Sequence, residues 1–335
     1  MSSKLITSII LLASTTVISA IEMHSGVPFQ ARFSWDATPE TIPIKDSYEA
    51  TAAQQAYDRL TEVYKAKPSL PGDDCLSLGT ATTQPHALYE LKDCIIKETG
   101  DESIFFALLQ DDITEADNFW STVLNQSTQD RTQWVPARAY VKAYYSGALP
   151  AAVFALWTAS GLADAANDDA NPEHYYKKSS LKWDGSETSN IFEGWGGCLS
   201  SFGTKRTNFT VPSFATPELG TAEYPSEWAI DSSFPTFLQR IGPKQLVTGP
   251  AAGQTFGVLH IAVRDFADDV GFGLEVYSAV WYPPWDLAPS ADNHQEFITN
   301  YVADEAHHMV VEVVNLSLKA LSDLTLGIFQ PGDSK

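Results

Sequence analysis

The stretch QTFGVLHIAVRDF, Gln254–Phe266, is followed by the connector ADDV and then by GFGLEVYSAVWYP, Gly271–Pro283. A short acidic connector between two alternating segments is typical of an antiparallel β-hairpin. Successive side chains of a strand point to opposite faces, so Leu259, Ile261 and Val263 share one face of the first arm. We expect this aliphatic face to carry a helix.

The opposite face of the same hairpin combines aromatic rings with polar groups. It presents His260 and Arg264 from the first arm and Glu275, Tyr277 and Trp281 from the second. One interpretation is a pocket with a few convergent polar groups. The other is a solvated sheet face with an Arg264–Glu275 cross-strand pair.

The pattern changes from helical to β along the chain. Helical spacing predicts helices at Asp46–Lys67, Ile104–Leu124, Pro136–Ala166 (kinked at Gly147 and Pro150) and Ala291–Leu324. Alternating aromatic and β-branched residues predict strands near 175–183, 189–202, 205–213, 236–249, 254–266 and 271–283. We therefore expect an α+β fold in one domain, 21–335, with a helical part at about 40–170, an antiparallel sheet at about 175–285 and a closing helix at about 291–324.

Charge and composition exclude several partners. The 335 residues carry a formal net charge of −21, with 44% hydrophobic and 19% charged residues. An acidic protein of this kind is repelled by phosphate backbones, so we expect no nucleic-acid partner.

The N-terminus has the features of a secretory signal peptide, 1–20. Lys4 supplies the positive charge, Leu5–Val17 the apolar segment, and Ser19-Ala20 the small residues of a cleavage site. The apolar run is shorter than a membrane span requires, so we expect a cleaved signal and a secreted or secretory-pathway protein with no membrane span.

Cysteines and glycosylation motifs fit that compartment. Cys75 and Cys94 are close in sequence and are the natural disulfide pair, which leaves Cys198 unpaired. Three sequons predict N-glycans at Asn125, Asn208 and Asn315.

Two acidic patterns suggest metal chemistry. DDITE, Asp111–Glu115, matches the short motif with which class I terpene cyclases hold Mg²⁺, and it also fits a solvated helix face. In DEAHHMVVE, Glu305 and His308 are three residues apart and His308 and Glu312 four apart, which is the spacing of a metal box on a helix. The helical wheel places His308, Glu312 and Asn315 opposite the apolar stripe, which favours a solvated face.

Familiar catalytic motifs are absent from the sequence, including G-x-S-x-G, H-E-x-x-H, the P-loop and the dinucleotide fingerprint. We therefore expect no metal and no cofactor. The candidate pocket is instead aromatic, with Trp195, Tyr277, Trp281 and Trp285 shaping it and His260 and Arg264 as catalytic hydrogen-bond donors. Simple core packing is the alternative role for the tryptophans.

The features of the whole chain resemble those of a known family. A signal-bearing acidic chain with a helical first half, the hairpin described above, the segment WYPPWDLAP (Trp281–Pro289) and a closing helix resembles the secreted fungal hetero-Diels-Alderases of tropolone sesquiterpenoid biosynthesis. That resemblance implies a cofactor-free cyclase that joins a tropolone quinone methide to a terpene alkene with stereocontrol. Its partner would be a small apolar organic substrate.

Two other functions share these features. A secreted carrier or effector could store a hydrophobic ligand in the same pocket without turnover. A metal-dependent hydrolase or lyase could use His307, His308 and Glu312. Turnover separates an enzyme from a carrier, and metal analysis tests the third interpretation.

Overall fold

The structure, a computed structural model, describes residues 22–24, 27–33, 46–67, 75–77, 84–144, 149–182, 185–230, 232, 234 and 238–329. The helices are α1 (Asp46–Lys65), α2 (Gln84–Thr99), α3 (Ile104–Leu108), α4 (Gln110–Asn125), α5 (Ala151–Thr158), α6 (Gly161–Ala170), α7 (Ala291–Glu296) and α8 (Val302–Thr325). The strands are β1 (Glu22–His24), β2 (Val27–Phe33), β3 (Val135–Tyr144), β4 (His174–Leu181), β5 (Glu187–Trp195), β6 (Lys205–Phe214), β7 (Gln239–Leu246), β8 (Thr255–Ala267) and β9 (Phe272–Tyr282). The predicted signal peptide, 1–20, lies outside the described residues and stays a prediction.

All these strands form one sheet in the order β1-β2-β3-β9-β8-β7-β6-β5-β4, and every neighbouring pair is antiparallel. The β8–β9 hairpin forms as its alternation predicts, with His260 opposite Ala279 and Arg264 opposite Glu275. The predicted strands between 175 and 283 are confirmed, and so is the α+β class.

The aliphatic face of the hairpin carries α8, as predicted. Val263 and Val276 of the sheet pack in one hydrophobic cluster with Val310 and Val313 of the helix. Ser278 lies on the same face, and its Oγ is 3.1 Å from the Met309 sulfur. Burial of these aliphatic side chains fixes the helix across the central strands.

The predicted helix Pro136–Ala166 is wrong over its first part. Residues Val135–Tyr144 form β3, which lies between β2 and β9. Buried residues of β3 recur at the period of two that a strand requires, at Ala137, Ala139, Val141 and Ala143, and Tyr144 at the end of the strand is buried as well. Their alanines favour a helix intrinsically, but pairing with β9 overrides that preference.

The Cys75–Cys94 disulfide is present and connects the turn at Cys75–Ser77 to α2. Cys198 is free and partly buried. Among the described residues, the helices include none that is both long and apolar enough to cross a membrane.

The first part of α8, residues 302–311, is buried on every side, which corrects the prediction of a solvated face at His308, whereas Lys319, Ser322 and Thr325 further along the helix are exposed. His308 is 1% exposed. Asn315 donates its amide hydrogens to Glu49 Oε1 at 2.8 Å and to the Ala170 carbonyl at 2.9 Å. An N-glycan on that nitrogen would remove a hydrogen that these bonds use, so the fold argues against glycosylation of Asn315. Asn125 is exposed and Asn208 partly exposed, and glycosylation there stays a prediction.

Asp304 connects α8 to the turn that follows β5. Its carboxylate accepts hydrogen bonds from the backbone N–H groups of Gly196 at 2.7 Å and of Cys198 and Leu199 at 2.8 Å each. The Tyr48 hydroxyl donates to the same carboxylate at 2.5 Å. Gly196 has φ of +96°, so the turn needs glycine there.

Asp304→Asn should therefore weaken the fold. An amide offers one acceptor oxygen in place of a carboxylate, and at least one buried N–H group loses its partner. We expect the free energy of unfolding to fall by about 3 kcal/mol, measured by urea denaturation. Asp292→Asn in the exposed first turn of α7 is the control, with an expected change below about 0.5 kcal/mol. Equal losses in both variants would contradict this role of Asp304.

Candidate functional site

A cavity of about 440 Å³ lies between the sheet and the helices α5, α6 and α8. Its wall on the sheet side is mostly aliphatic and includes Leu259, Ile261, Val263 and Val276. Charged groups line part of the cavity, here called the polar end: Lys177, Glu193, Lys244, Glu305, His308 and Glu312. An apolar cavity with a few convergent polar groups is the usual form of a small-molecule site.

Two histidines meet at the polar end. His308 Nε2 on α8 lies 3.0 Å from His174 Nε2 at the start of β4. The other nitrogen of each ring is also engaged, with His308 Nδ1 3.3 Å from Glu173 Oε2 and His174 Nδ1 3.1 Å from the Asn167 carbonyl. Both rings are therefore held in fixed orientations.

Lys244 also lies at the polar end, where it pairs with two carboxylates. Its ammonium lies 2.9 Å from Glu193 Oε1 and 3.5 Å from Glu305 Oε1. The same ammonium lies over the rings of Trp195 and Phe209, 4.4 and 4.5 Å from their centroids. Burial of this cation is compensated by two carboxylates and by cation–π contacts.

Burial and neighbouring charges shift the pKa values of the two histidines in opposite directions. Burial disfavours the imidazolium form of His308, but the hydrogen bond to Glu173 and the charges of Glu305 and Glu193 outweigh it and raise the pKa of His308 to about 9. Burial lowers the pKa of His174 well below its ordinary value. These opposite shifts favour His308 as the donor and His174 as the acceptor of the hydrogen bond between them.

Three side chains at the polar end could hold a metal ion. One ligand atom from each of His174, His308 and Glu312 can be chosen so that all lie within 4.8 Å of one another. His307 is not in this group: its Nδ1 lies 2.8 Å from the Ala303 carbonyl, and its ring stacks on Tyr48. Of the metal box predicted from α8, His308 and Glu312 belong to this group, and His174 of β4 completes it in place of a further residue of α8.

The residues predicted to form an aromatic pocket lie elsewhere. His260, Arg264, Tyr277 and Trp281 are on the sheet face turned away from α8, here called the far face, and do not line the cavity. On β8 the odd-numbered residues from 259 to 263 line the cavity, so strand alternation directs His260 and Arg264 away from it. These side chains therefore share the face opposite α8, as the alternation of the hairpin predicts, and the cavity beside α8 is a different place from the predicted aromatic pocket.

Each of these far-face side chains has its own contacts. Arg264 Nε donates to Glu275 Oε2 at 2.6 Å, which is the cross-strand pair considered above. Trp281 stacks on Trp228 with ring centroids 4.7 Å apart. His260 is fully buried beside Tyr277, and neither ring nitrogen has a hydrogen-bond partner among the residues that the structure describes. Their predicted roles in catalysis stay predictions.

Trp195 and Trp285 are buried in an aromatic cluster with Trp120, Phe297 and Tyr301. Neither lines the cavity, although Trp195 lies directly behind Lys244. Their surroundings correspond to the core-packing alternative.

The other reactive candidates are engaged in the fold. Asp112 of the DDITE motif accepts hydrogen bonds from Arg59 and Arg206, and Glu115 pairs with Lys205. These cations occupy the carboxylates that a magnesium site would need. Burial raises the pKa of the Cys198 thiol, with further contributions from the charges of Glu173 and Asp304, which disfavours a reactive thiolate.

Sequence reasoning missed His174, Glu193 and Lys244, which come from three different strands. No spacing in the sequence connects them, since only the sheet order brings them to α8. His308 and Glu312 did carry a signal in their spacing, but the helical wheel assigned them to solvent.

No protein-family model matches the sequence, and no curated protein matches it. A solved structure with some likeness is the crystal structure of the di-domain ARO/CYC StfQ from the steffimycin biosynthetic pathway. The identity is 11%, the alignment covers 73% of this chain and 59% of that chain, and the TM-score is 0.27. That neighbour is a cyclase of a biosynthetic pathway, but a likeness this weak carries no argument about this chain.

His260 makes the stability of the fold pH-dependent. Burial lowers its pKa from 6.5 to about 4, so on acidification the unfolded chain takes up a proton before the folded chain does. Stability is therefore lost as the pH falls from about 6.5 towards 4. Between pH 7 and pH 5 we expect wild type to lose about 2 kcal/mol more unfolding free energy than His260→Leu.

Urea denaturation at the two pH values measures this difference. The exposed His86 provides the control, since His86→Leu should keep the wild-type pH dependence. Identical pH dependence in wild type and His260→Leu would show that His260 does not titrate in this way.

Proposed function

We propose that this protein is a cyclase that acts on a small apolar organic substrate in the cavity beside α8. The reaction we propose is a stereoselective hetero-Diels-Alder cycloaddition between a tropolone quinone methide and a terpene alkene. The observation that carries the proposal is the cavity itself, since its 440 Å³ lies within the range of about 300–1,000 Å³ for small-molecule sites.

The aliphatic wall suits this reaction because a cycloaddition needs its two partners held close and correctly oriented. Ile261 and Val263 on β8 and Val276 on β9 present a surface fixed by strand pairing. Holding two apolar partners against a rigid wall converts a bimolecular step into an effectively unimolecular one. The shape of the wall would also select one face of the alkene.

The polar end supplies the complementary chemistry. The tropolone partner carries oxygen atoms that gain negative charge as the new bonds form. Lys177 on β4 and Lys244 on β7 place ammonium groups along the cavity, where they can stabilise that charge. This proposal moves the donor role from His260 and Arg264 to these two lysines.

The direct test mixes purified protein with a quinone-methide precursor and a humulene-type alkene and follows the adduct by chiral chromatography with mass spectrometry. Faster formation of one enantiomer than with heat-denatured protein is the expected result. Equal racemic product in both samples would remove the cyclase proposal for these substrates. Stoichiometric ligand binding without turnover would support a carrier instead.

Lys177→Met tests the role of the polar end. Loss of the ammonium group should slow turnover by about 100-fold, because a charge that stabilises the transition state is removed. Lys178→Met is the matched control, since Lys178 is the next residue on β4, is exposed and points to the opposite face. Initial rates of adduct formation give the comparison, and equal rates in the two variants would contradict the role of Lys177.

A further inference from the structure

The pair of histidines at the polar end has the geometry of two metal ligands. The Nε2 atoms of His174 and His308 point towards each other across 3.0 Å. Two ligands of a tetrahedral zinc ion, each at about 2.0–2.1 Å from it, lie about 3.3 Å apart. A small separation of the rings would therefore admit an ion between them.

A third ligand stands beside this pair. Glu312 lies one helical turn after His308 on α8 and brings a carboxylate oxygen within 4.8 Å of one ring nitrogen of each histidine. His308 and Glu312 both line the cavity. An ion held by the three side chains would thus keep a coordination position open to the cavity.

The surroundings of the two rings match those of metal-bound histidines. A ligating histidine usually gives its other ring N–H to a carboxylate or a backbone carbonyl, which fixes the tautomer. Here His308 Nδ1 faces Glu173 Oε2 at 3.3 Å, and His174 Nδ1 faces the Asn167 carbonyl at 3.1 Å. Because these partners engage the Nδ1 atoms, the Nε2 atoms are the ones that would bind an ion.

The charge at this end also suits a dication. Glu173, Glu193 and Glu305 surround His308 in addition to Glu312. Glu193 Oε2 lies 3.3 Å from His174 Nε2, so a further carboxylate borders the same space. Because Glu193 and Glu305 already pair with Lys244, Glu312 and Glu173 are the carboxylates that would compensate an ion buried here.

We propose that His174, His308 and Glu312 form a binding site for a divalent cation of the zinc type. Two imidazoles and one carboxylate are the donor set that zinc uses in sites with an open position. The site stands independently of the cyclase proposal. If that proposal holds, the open position faces the place where the oxygen atoms of the tropolone partner would bind, and the ion would act there as a Lewis acid.

The test measures metal binding and not activity. Untagged full-length secreted protein is treated with a chelator, dialysed and titrated with ZnCl₂ by calorimetry, and its cobalt form is examined by visible absorption. We expect one ion per chain, and a loss of this binding in His174→Gln and in His308→Gln. Glu173→Gln should weaken binding by about 10- to 100-fold, as changes to outer partners do.

His307→Gln is the matched control, since His307 is adjacent to His308 on α8, equally buried, and engaged on another side of the helix. It should bind zinc as wild type does. Absence of saturable binding by wild type, or equal binding by wild type and His308→Gln, would overturn the proposal.

A measurement on wild type alone covers the case in which the ligand variants fail to fold. X-ray absorption of the zinc-loaded protein should show two imidazole ligands completed by oxygen. A sulfur ligand, which would implicate Cys198, or a shell of oxygen alone would overturn the assignment. Because neither readout involves turnover, failure of the metal site and failure of the cyclase proposal are distinguishable.

Discussion

The burial of α8 on every side over residues 302–311 is the constraint on which the rest of the structure depends. A helix in contact with protein on all sides must find a partner for each polar side chain inside the fold, because an unpaired buried charge costs several kcal/mol. Asp304 accepts hydrogen bonds from the backbone of the turn after β5, and Glu305 pairs with Lys244. Asp323 accepts a hydrogen bond from the Trp157 indole at 3.1 Å. The polar residues of α8 therefore fix the strands and helices around it.

The cavity follows from the same arrangement. Strand alternation turns the aliphatic side of β8 and β9 towards α8, and the helix contacts only part of that surface. On the remaining side of α8, His308 contacts His174 of β4 and Glu305 contacts Lys244 of β7. The cavity is thus apolar along β8 and β9, and its polar end is charged because of α8 together with β4, β5 and β7.

Period-two alternation predicted the strands between 174 and 282 and the β8–β9 hairpin, because those segments are rich in β-branched and aromatic residues. It missed β3, where alanine carries the alternation and composition favours a helix. For α8, the helical wheel identified the most apolar stripe correctly but could not show that the opposite side is also covered. Asn315 illustrates this, since its neighbours Glu49 and the Ala170 carbonyl are polar and far away in sequence. The site residues His174, Glu193 and Lys244 were beyond prediction for the same reason.

The central claim is that the functional site is the cavity beside α8 and not the far face of the sheet. A crystal structure of the protein soaked with the tropolone–terpene adduct tests it most directly. The account predicts density for the adduct against Ile261 and Val276, with its oxygen atoms towards Lys177 and Lys244. Density for the adduct beside His260 and Trp281 on the far face, with the cavity empty, would contradict it.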